Sequence, residues 1–319
     1  MKRVLRAGCW VLSAWVLGAV VPSAVPSAVP SAVSGAVPSA GSGAVPSAAA
    51  QSAADELKQK FAHRAEEVAS HLDGVMAYTI VDLTSGDRFT HLETSTLPTA
   101  STIKLAIVYE LFKQVEEGRV RLDDTLVLDR AKAVGGTGVL ADLGTPTLSI
   151  RDYAVLMVRL SDNTATNVLI DRLGMEKIAQ RLQALGLTAT KLRRHMMDTA
   201  AARRGDENVS TPAEIARLLQ TLQKMPDAIA LLKMSKENRL RRGLPPDVEA
   251  ADKSGELDGV RVDAGIVFAK NRPYVFSVMT AFLKDEPEGE RAIEDLSRVA
   301  YEYFDRLGAG GAFGRLMKP

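Results

Sequence analysis

The stretch Thr99-Ala100-Ser101-Thr102-Ile103-Lys104-Leu105 marks where the chain changes from strand patterning to helix patterning. Before it, Leu57, Phe61, Ala65, Val68 and Leu72 recur at helical spacing, which predicts an amphipathic helix stopping near Gly74. Residues 75–83 and 88–91 read as strands, separated by the turn Thr84-Ser85-Gly86-Asp87. After it, helix patterning runs from 101 to about 240. Within that run, Thr211-Pro212-Ala213-Glu214 is a helix start: Thr caps, Pro fits the first turn, and Glu is placed to complete a capping box. Ile215, Leu218, Leu219 and Leu222 give that helix its buried face.

Strands return at 260–269 and 274–283, with Lys270-Asn271-Arg272-Pro273 between them as a hairpin turn. A last helix carries Ile293, Leu296, Val299, Ala300, Tyr303, Phe304 and Leu307 on one side. Strands from both ends of the chain can share one sheet. The expected fold is therefore α/β: a three-layer sandwich on an antiparallel sheet, with an inserted all-α domain and a cleft between the two. Its expected parts are 53–100 together with 241–307 for the α/β domain, 101–240 for the all-α domain, and 308–319 for a tail.

The totals bound the function. The 319 residues allow a large core without disulfides. With 40 Lys+Arg against 39 Asp+Glu, no bulk field favours nucleic acid or an anionic membrane. One cysteine excludes a thiolate zinc site. The histidines His63, His71, His91 and His195 lack metal-ligand spacing, so no metal and no cofactor is expected.

Residues 1–50 read differently from the rest. Lys2, Arg3 and Arg6 precede an apolar run to Val21, the layout of a secretory signal, and a degenerate Val-Pro-Ser-Ala repeat follows. Repeated proline and small side chains predict disorder for that repeat. Cys9 lies at the front of the apolar run, which argues against lipid attachment. Ala48-Ala49-Ala50 best fits the cleavage rule. A cut there removes Cys9, Trp10, Trp15 and three bases, leaving 37 bases against 39 acids. The expected product is periplasmic or extracellular, a monomer without a stable membrane span, and free of cysteine and tryptophan.

Ser101 and Lys104 are three apart and share one helical face. A serine at a helix start gains from the dipole as negative charge develops, and a lysine in a low-dielectric site can act as a base. Alone, that pair reads equally as a capping serine beside a surface lysine. Ser161-Asp162-Asn163 alone is a capping turn, and Lys253-Ser254-Gly255 alone is a turn into a strand.

Together, in this order and spacing, the three motifs resemble the class A β-lactamase-like serine hydrolases, in the superfamily of serine β-lactamases and penicillin-binding proteins. The likeness extends to Gly135-Gly136-Thr137-Gly138-Val139-Leu140 and Ala251-Asp252. It implies Ser101 as nucleophile, Lys104 as its activating neighbour, Ser161 as proton relay to the leaving nitrogen, and Lys253 as the cation that tunes Ser161. It further implies Asn163, Ser254, Gly255 and Glu256 as substrate-binding, with the N–H groups of Ser101 and Glu256 as an oxyanion hole.

Two departures qualify the likeness. Class A enzymes carry a deacylating glutamate on a loop before the helix that here begins at Thr211, and its place falls at or near His195. The nearby acids are Asp198, Asp206 and Glu207; Asp198 and Glu207 are candidates for the deacylation base, or Asp206 or Glu207 instead pairs with Arg193 or Arg194 to pin the loop. The arginine many relatives place near Val262-Asp263 is missing, with Arg261 a weak substitute. Arg239, Arg241 and Arg242 read as solvated surface. The resemblance thus implies a small-molecule substrate and hydrolysis of a β-lactam amide, with slow deacylation. A D-Ala-D-Ala peptidase or esterase, or a penicillin-binding sensor, keeps the same acylation set.

Overall fold

A computed structural model describes residues 48–235, 238–311 and 314–316. The expected leader and most of the Val-Pro-Ser-Ala repeat lie outside the described residues. The apolar spacing through Leu72 becomes α1 (Ala48–His71), and the expected cut after Ala50 falls in its first turn. The branched run beyond Gly74 becomes β1 (Val75–Asp82), followed by β2 (Arg88–His91) and the short β3 (Leu97–Pro98).

A 3₁₀ turn (Ala100–Ile103) then feeds α2 (Lys104–Glu116). The helical stretch continues through β4 (Thr125–Val127), β5 (Thr147–Ser149), α3 (Ile150–Arg159), α4 (Asn163–Leu173) and α5 (Met175–Ala184). It ends with α6 (Thr199–Arg203), β6 (Val209–Ser210), α7 (Pro212–Leu222), α8 (Pro226–Leu232) and α9 (Arg239–Arg242). Then come β7 (Ala250–Leu257), β8 (Val260–Val267), β9 (Tyr274–Ala281) and α10 (Glu286–Ala309).

The main sheet has the order β2-β1-β9-β8-β7, with every pair antiparallel. Its central strands are buried on both faces, which explains their dense Val, Ile, Phe and Tyr content. On one face Phe61, Phe89, Tyr274, Tyr303 and Phe304 join α1 and α10 to the sheet. Tyr274 and Phe304 stack with centroids 4.2 Å apart, and Phe61 stacks on Tyr303 at 4.6 Å. On the other face Val81, Ala251, Ala264, Ile266 and Val275 pack into one cluster with α2, α3, α4, α5, α7 and α8. The result is the three-layer α/β arrangement.

Three details differ from the sequence reading. Lys253-Ser254-Gly255 is no turn: it lies inside β7, the edge strand, which the turn Asp258-Gly259 connects to β8. Thr211 caps α7 by accepting from the Glu214 N–H at 3.1 Å, but the Glu214 carboxylate accepts from the Ala189 and Thr190 N–H groups and from the Thr190 hydroxyl. The capping box is therefore traded for a tie to the loop after α5. Finally, α9 straddles the expected boundary at 240/241 and packs on α10 and β8.

The turns are held by a buried charge. Asp82 accepts from the Thr84 and Ser85 N–H groups and the Ser85 hydroxyl, and pairs with Arg272 at 2.7 Å, joining the β1–β2 and β8–β9 turns. Among the described residues no helix is long and apolar enough to cross a membrane, and no cluster of three or more His, Cys, Asp or Glu could hold a metal ion.

The aromatic cluster generates a stability prediction. Phe304 is fully buried against Tyr274, Phe61, Phe89 and Tyr303. In urea titration Phe304→Ala loses about 3–5 kcal/mol of unfolding free energy, and a loss below about 1 kcal/mol would contradict this packing.

Candidate active site

Ser101 stands in the 3₁₀ turn that leads into α2, directly after Ala100, whose φ of +45° is unusual for a residue with a side chain. Thr99 anchors that strained entry: its N–H and its hydroxyl both donate to the Asn208 carbonyl, at 2.9 and 3.0 Å. One helical turn later, Lys104 is completely buried. Its Nζ donates to the Ser161 carbonyl at 2.7 Å, the Ser161 Oγ at 2.9 Å and the Asn163 Oδ1 at 3.3 Å. Ser161 Oγ donates to Ser101 Oγ at 3.0 Å. Lys104 therefore reaches Ser101 through Ser161.

Ser161 occupies the break between α3 and α4, with φ of +52°. Asp162 builds that break. One carboxylate oxygen caps α4 at the Ala165 N–H, 2.8 Å away, and the other accepts from the Val139 and Leu140 N–H groups at 2.7 and 2.9 Å. Gly138 is forced by this approach: its φ is +109°, and a Cβ there would fall 2.2 Å from Asp162 Oδ2. The glycine run noted in the sequence thus lets the loop close over Asp162.

Burial drives Lys104 well below the ordinary lysine range, the nearby Lys253 charge adds to the fall, and Asp162 opposes it. Lys253, also buried, is pushed down to about 8 by burial, with Asp263 and Asp252 opposing. Beneath it, burial and Asp252 push the Asp263 carboxyl up to about 7.

The register positions β7 for chemistry. The Arg261 N–H donates to Thr280 Oγ1 at 3.1 Å and its C=O accepts from that hydroxyl at 2.8 Å, so both point to β9. Alternation then turns Val262 to Gly255, and leaves the backbone groups of Ser254 and Glu256 at the open edge of the sheet. Gly255 gives Ser101 its room: a Cβ there would lie 2.4 Å from the Ser101 nitrogen. Ser254 Oγ donates to Asn238 Oδ1 at 2.7 Å, and Asn238 Nδ2 donates to Ser235 Oγ at 2.6 Å and to Asp252.

These groups line one cleft of about 380 Å³, with Ser101, Ser161, Asn163, Lys253, Ser254, Gly255 and Glu256 all on its wall. Lys104 sits behind Ser161 and Asn163. The structure also adds residues that the sequence reading passed over: Thr137, Met196, Asn208 and Arg239 line the same cleft. Arg239 corrects the solvated-surface expectation, since it is only 7% exposed and pairs with Glu256 and Glu290, each at 2.8 Å. Arg241 pairs with buried Asp252 at 2.7 Å, and Arg242 with Glu290 and Glu294. Arg261 turns away to Glu290 and Glu286 on α10.

The acids before α7 are engaged elsewhere. Asp198 caps α6 at the Ala201 N–H, 2.9 Å away, and Glu207 grips the Arg194 guanidinium with two bonds of 3.0 Å. Neither lines the cleft, so their geometry does not fit the deacylation base considered for them. Asp206 lies 3.7 Å from Arg204, and His195 contacts Asp171 at 2.9 Å. From this segment Arg194, Met196, Met197, Thr199 and Asn208 line the cleft, and Met196 has its N–H and C=O both held by the Asn167 amide, at 2.8 and 3.1 Å. Among the described residues lining the cleft, Glu256 is the only acid.

Comparison with known proteins shows the family. The family model described as "Beta-lactamase enzyme family" matches residues 59–304. An imipenem-hydrolyzing beta-lactamase of Enterobacter cloacae is 25% identical over 257 residues, covering 74% of this chain and 87% of that protein. Beta-lactamase 1 of Streptomyces cacaoi is 28% identical over 256 residues, covering 72% and 77%. Among solved structures, a beta-lactamase from Sphaerobacter thermophilus superposes with a TM-score of 0.71 at 29% identity, covering 77% of this chain and 96% of that one. A mutant of PBP-A, solved as an acyl-enzyme complex with penicillin G, superposes at 0.70 with 27% identity over 79% and 97%. With the family model matched over residues 59–304 and buried Lys104 linked through Ser161 to Ser101, this chain belongs to the beta-lactamase enzyme family as a serine beta-lactamase-like hydrolase.

Proposed function

We propose that the protein is an exported hydrolase in which a β-lactam amide acylates Ser101, and that the acyl-enzyme is then hydrolysed slowly. The observation that carries acylation is the unbroken chain Lys104–Ser161–Ser101. A buried lysine with a lowered proton affinity can take the Ser101 proton through Ser161 as Oγ attacks the lactam carbonyl. The N–H groups of Ser101 and Glu256 then stabilise the oxyanion, each worth about 3–4 kcal/mol in such sites. When the C–N bond breaks, Ser161 hands a proton to the leaving nitrogen and regains one from Lys104. Asn163 binds the substrate amide, and Ser254, Lys253 and Arg239 bind its carboxylate.

Slow deacylation is supported by the cleft lining: among the described residues there, the only acid, Glu256, is paired with Arg239, and Met196 lines the wall where the 191–209 loop meets the cleft. Acylation itself is in keeping with the similar PBP-A mutant solved as an acyl-enzyme complex with penicillin G. The same acylation set suits a D-Ala-D-Ala peptidase, so that peptide belongs in the assay.

Intact-mass spectrometry after penicillin exposure is expected to find one long-lived adduct that Ser101→Ala abolishes, together with a nitrocefin burst of about one product per enzyme. Rapid linear turnover without a trapped adduct would overturn slow deacylation, and faster release of D-alanine from the peptide would move the assignment to a peptidase. Met196→Glu supplies the missing general base and is expected to speed deacylation by about 10²-fold. An unchanged adduct lifetime would mean that Met196 does not face the acyl bond. The pH profile tests Lys253, which is a cation at neutral pH and loses its proton as pH rises through about 8. Acylation by benzylpenicillin should therefore decline across that range, and a flat profile would remove Lys253 from carboxylate binding.

A further inference from the structure

Two groups of the cleft suited to hold an anion, Arg239 and Ser254, already have partners within the chain. Arg239 faces the cleft, and one guanidinium nitrogen is shared between Glu290 and Glu256 at 2.8 Å each. The Ser254 hydroxyl is donated to Asn238. The two glutamates are not equivalent. Glu290 is also bonded by Arg242 and Arg261, and these arginines with Arg239 hold its carboxyl down to about 2, so it is the fixed counter-ion. The Glu256 side chain is 56% exposed, lines the cleft, and pairs with Arg239.

We propose that Glu256 is a specificity-determining residue: its carboxylate stands where a substrate carboxylate would meet Arg239, and an anionic substrate must displace it. The backbone makes this displacement feasible. Glu256 is paired with Arg261 near the end of β7, one residue before Leu257 and the Asp258-Gly259 turn. Its N–H is therefore fixed by the strand, whereas its side chain can swing into solvent without disturbing that donor. Repulsion between two carboxylates on one guanidinium then weakens anionic substrates relative to neutral ones. A substrate bearing a cationic group beside its carboxylate recovers part of the loss, because the displaced Glu256 remains at the cleft rim.

This rests on the acylation of Ser101 proposed above, and the test separates the two. Acylation rates are measured for benzylpenicillin and for its methyl ester in wild type, Glu256→Gln and Glu256→Ala. The carboxylate-to-ester ratio is expected to rise about fivefold in both variants, the weight of one half-exposed ion pair. A ratio that stays constant or falls would show that Glu256 only orients Arg239, and would overturn the proposal. A wild-type enzyme that takes no adduct from either compound would instead defeat the acylation reading. A chemistry-free readout covers that case: in the Ser101→Ala background, calorimetric Kd for benzylpenicillin should drop about fivefold on Glu256→Gln, and an unchanged Kd would again refute the role of Glu256.

Discussion

A fully buried lysine amine held only by neutral partners is an expensive feature, and the Lys104 contacts organise everything around them. Three oxygens on Ser161 and Asn163 must converge on one nitrogen. That convergence requires the chain to break between α3 and α4, with Ser161 in a left-handed conformation. Asp162 makes the break tolerable by capping α4 and pinning the 139–140 loop in the same stroke. The second lysine, Lys253, must then sit close enough to depress Lys104 further, which brings β7 to the wall of the cleft. One buried amine thus ties the helical insert to the sheet edge.

Much of this was legible in the residues. The three motifs lie in Ser101–Lys104, Ser161–Asn163 and Lys253–Gly255, and the branched runs of β1, β8 and β9 declare strands buried on both faces. β7 was harder, because Lys253, Ser254 and Gly255 interrupt any apolar alternation. Asp258-Gly259 was the available hairpin cue, since that dipeptide suits a two-residue turn between paired strands. Arg239 was misread for a different reason. A local Arg-Leu-Arg-Arg run looks solvated, and the partners that bury it, Glu256 and Glu290, are 17 and 51 positions away. Glu214 followed the same logic: its spacing from Thr211 suits a capping box, but tertiary contact with Thr190 wins because it satisfies buried N–H donors.

The same competition explains the acids before α7. A carboxylate on this loop can either face Ser101 or hold the loop together, and here each is committed to structure. Glu207 clamps Arg194, Asp198 caps α6, and the Asn208 side chain accepts from the Arg193 and Arg194 N–H groups while its carbonyl receives Thr99. The loop is therefore tied at several points, and through Asn208 it supports the strained entry to Ser101. Its stability and its chemistry draw on the same few side chains.

On the function proposed above, acylation and deacylation are separable in this fold, because they depend on different elements. The groups for the first step come from α2, the α3–α4 break and β7, which share buried lysines and cannot be changed singly without exposing or stranding a charge. The group for the second step is one side chain on the 191–209 loop, whose backbone is already held at Met196 by Asn167. Its side chain can vary from carboxylate to thioether with the backbone ties intact. On the function proposed above, replacing that one side chain would alter the second step and leave the groups of the first in place.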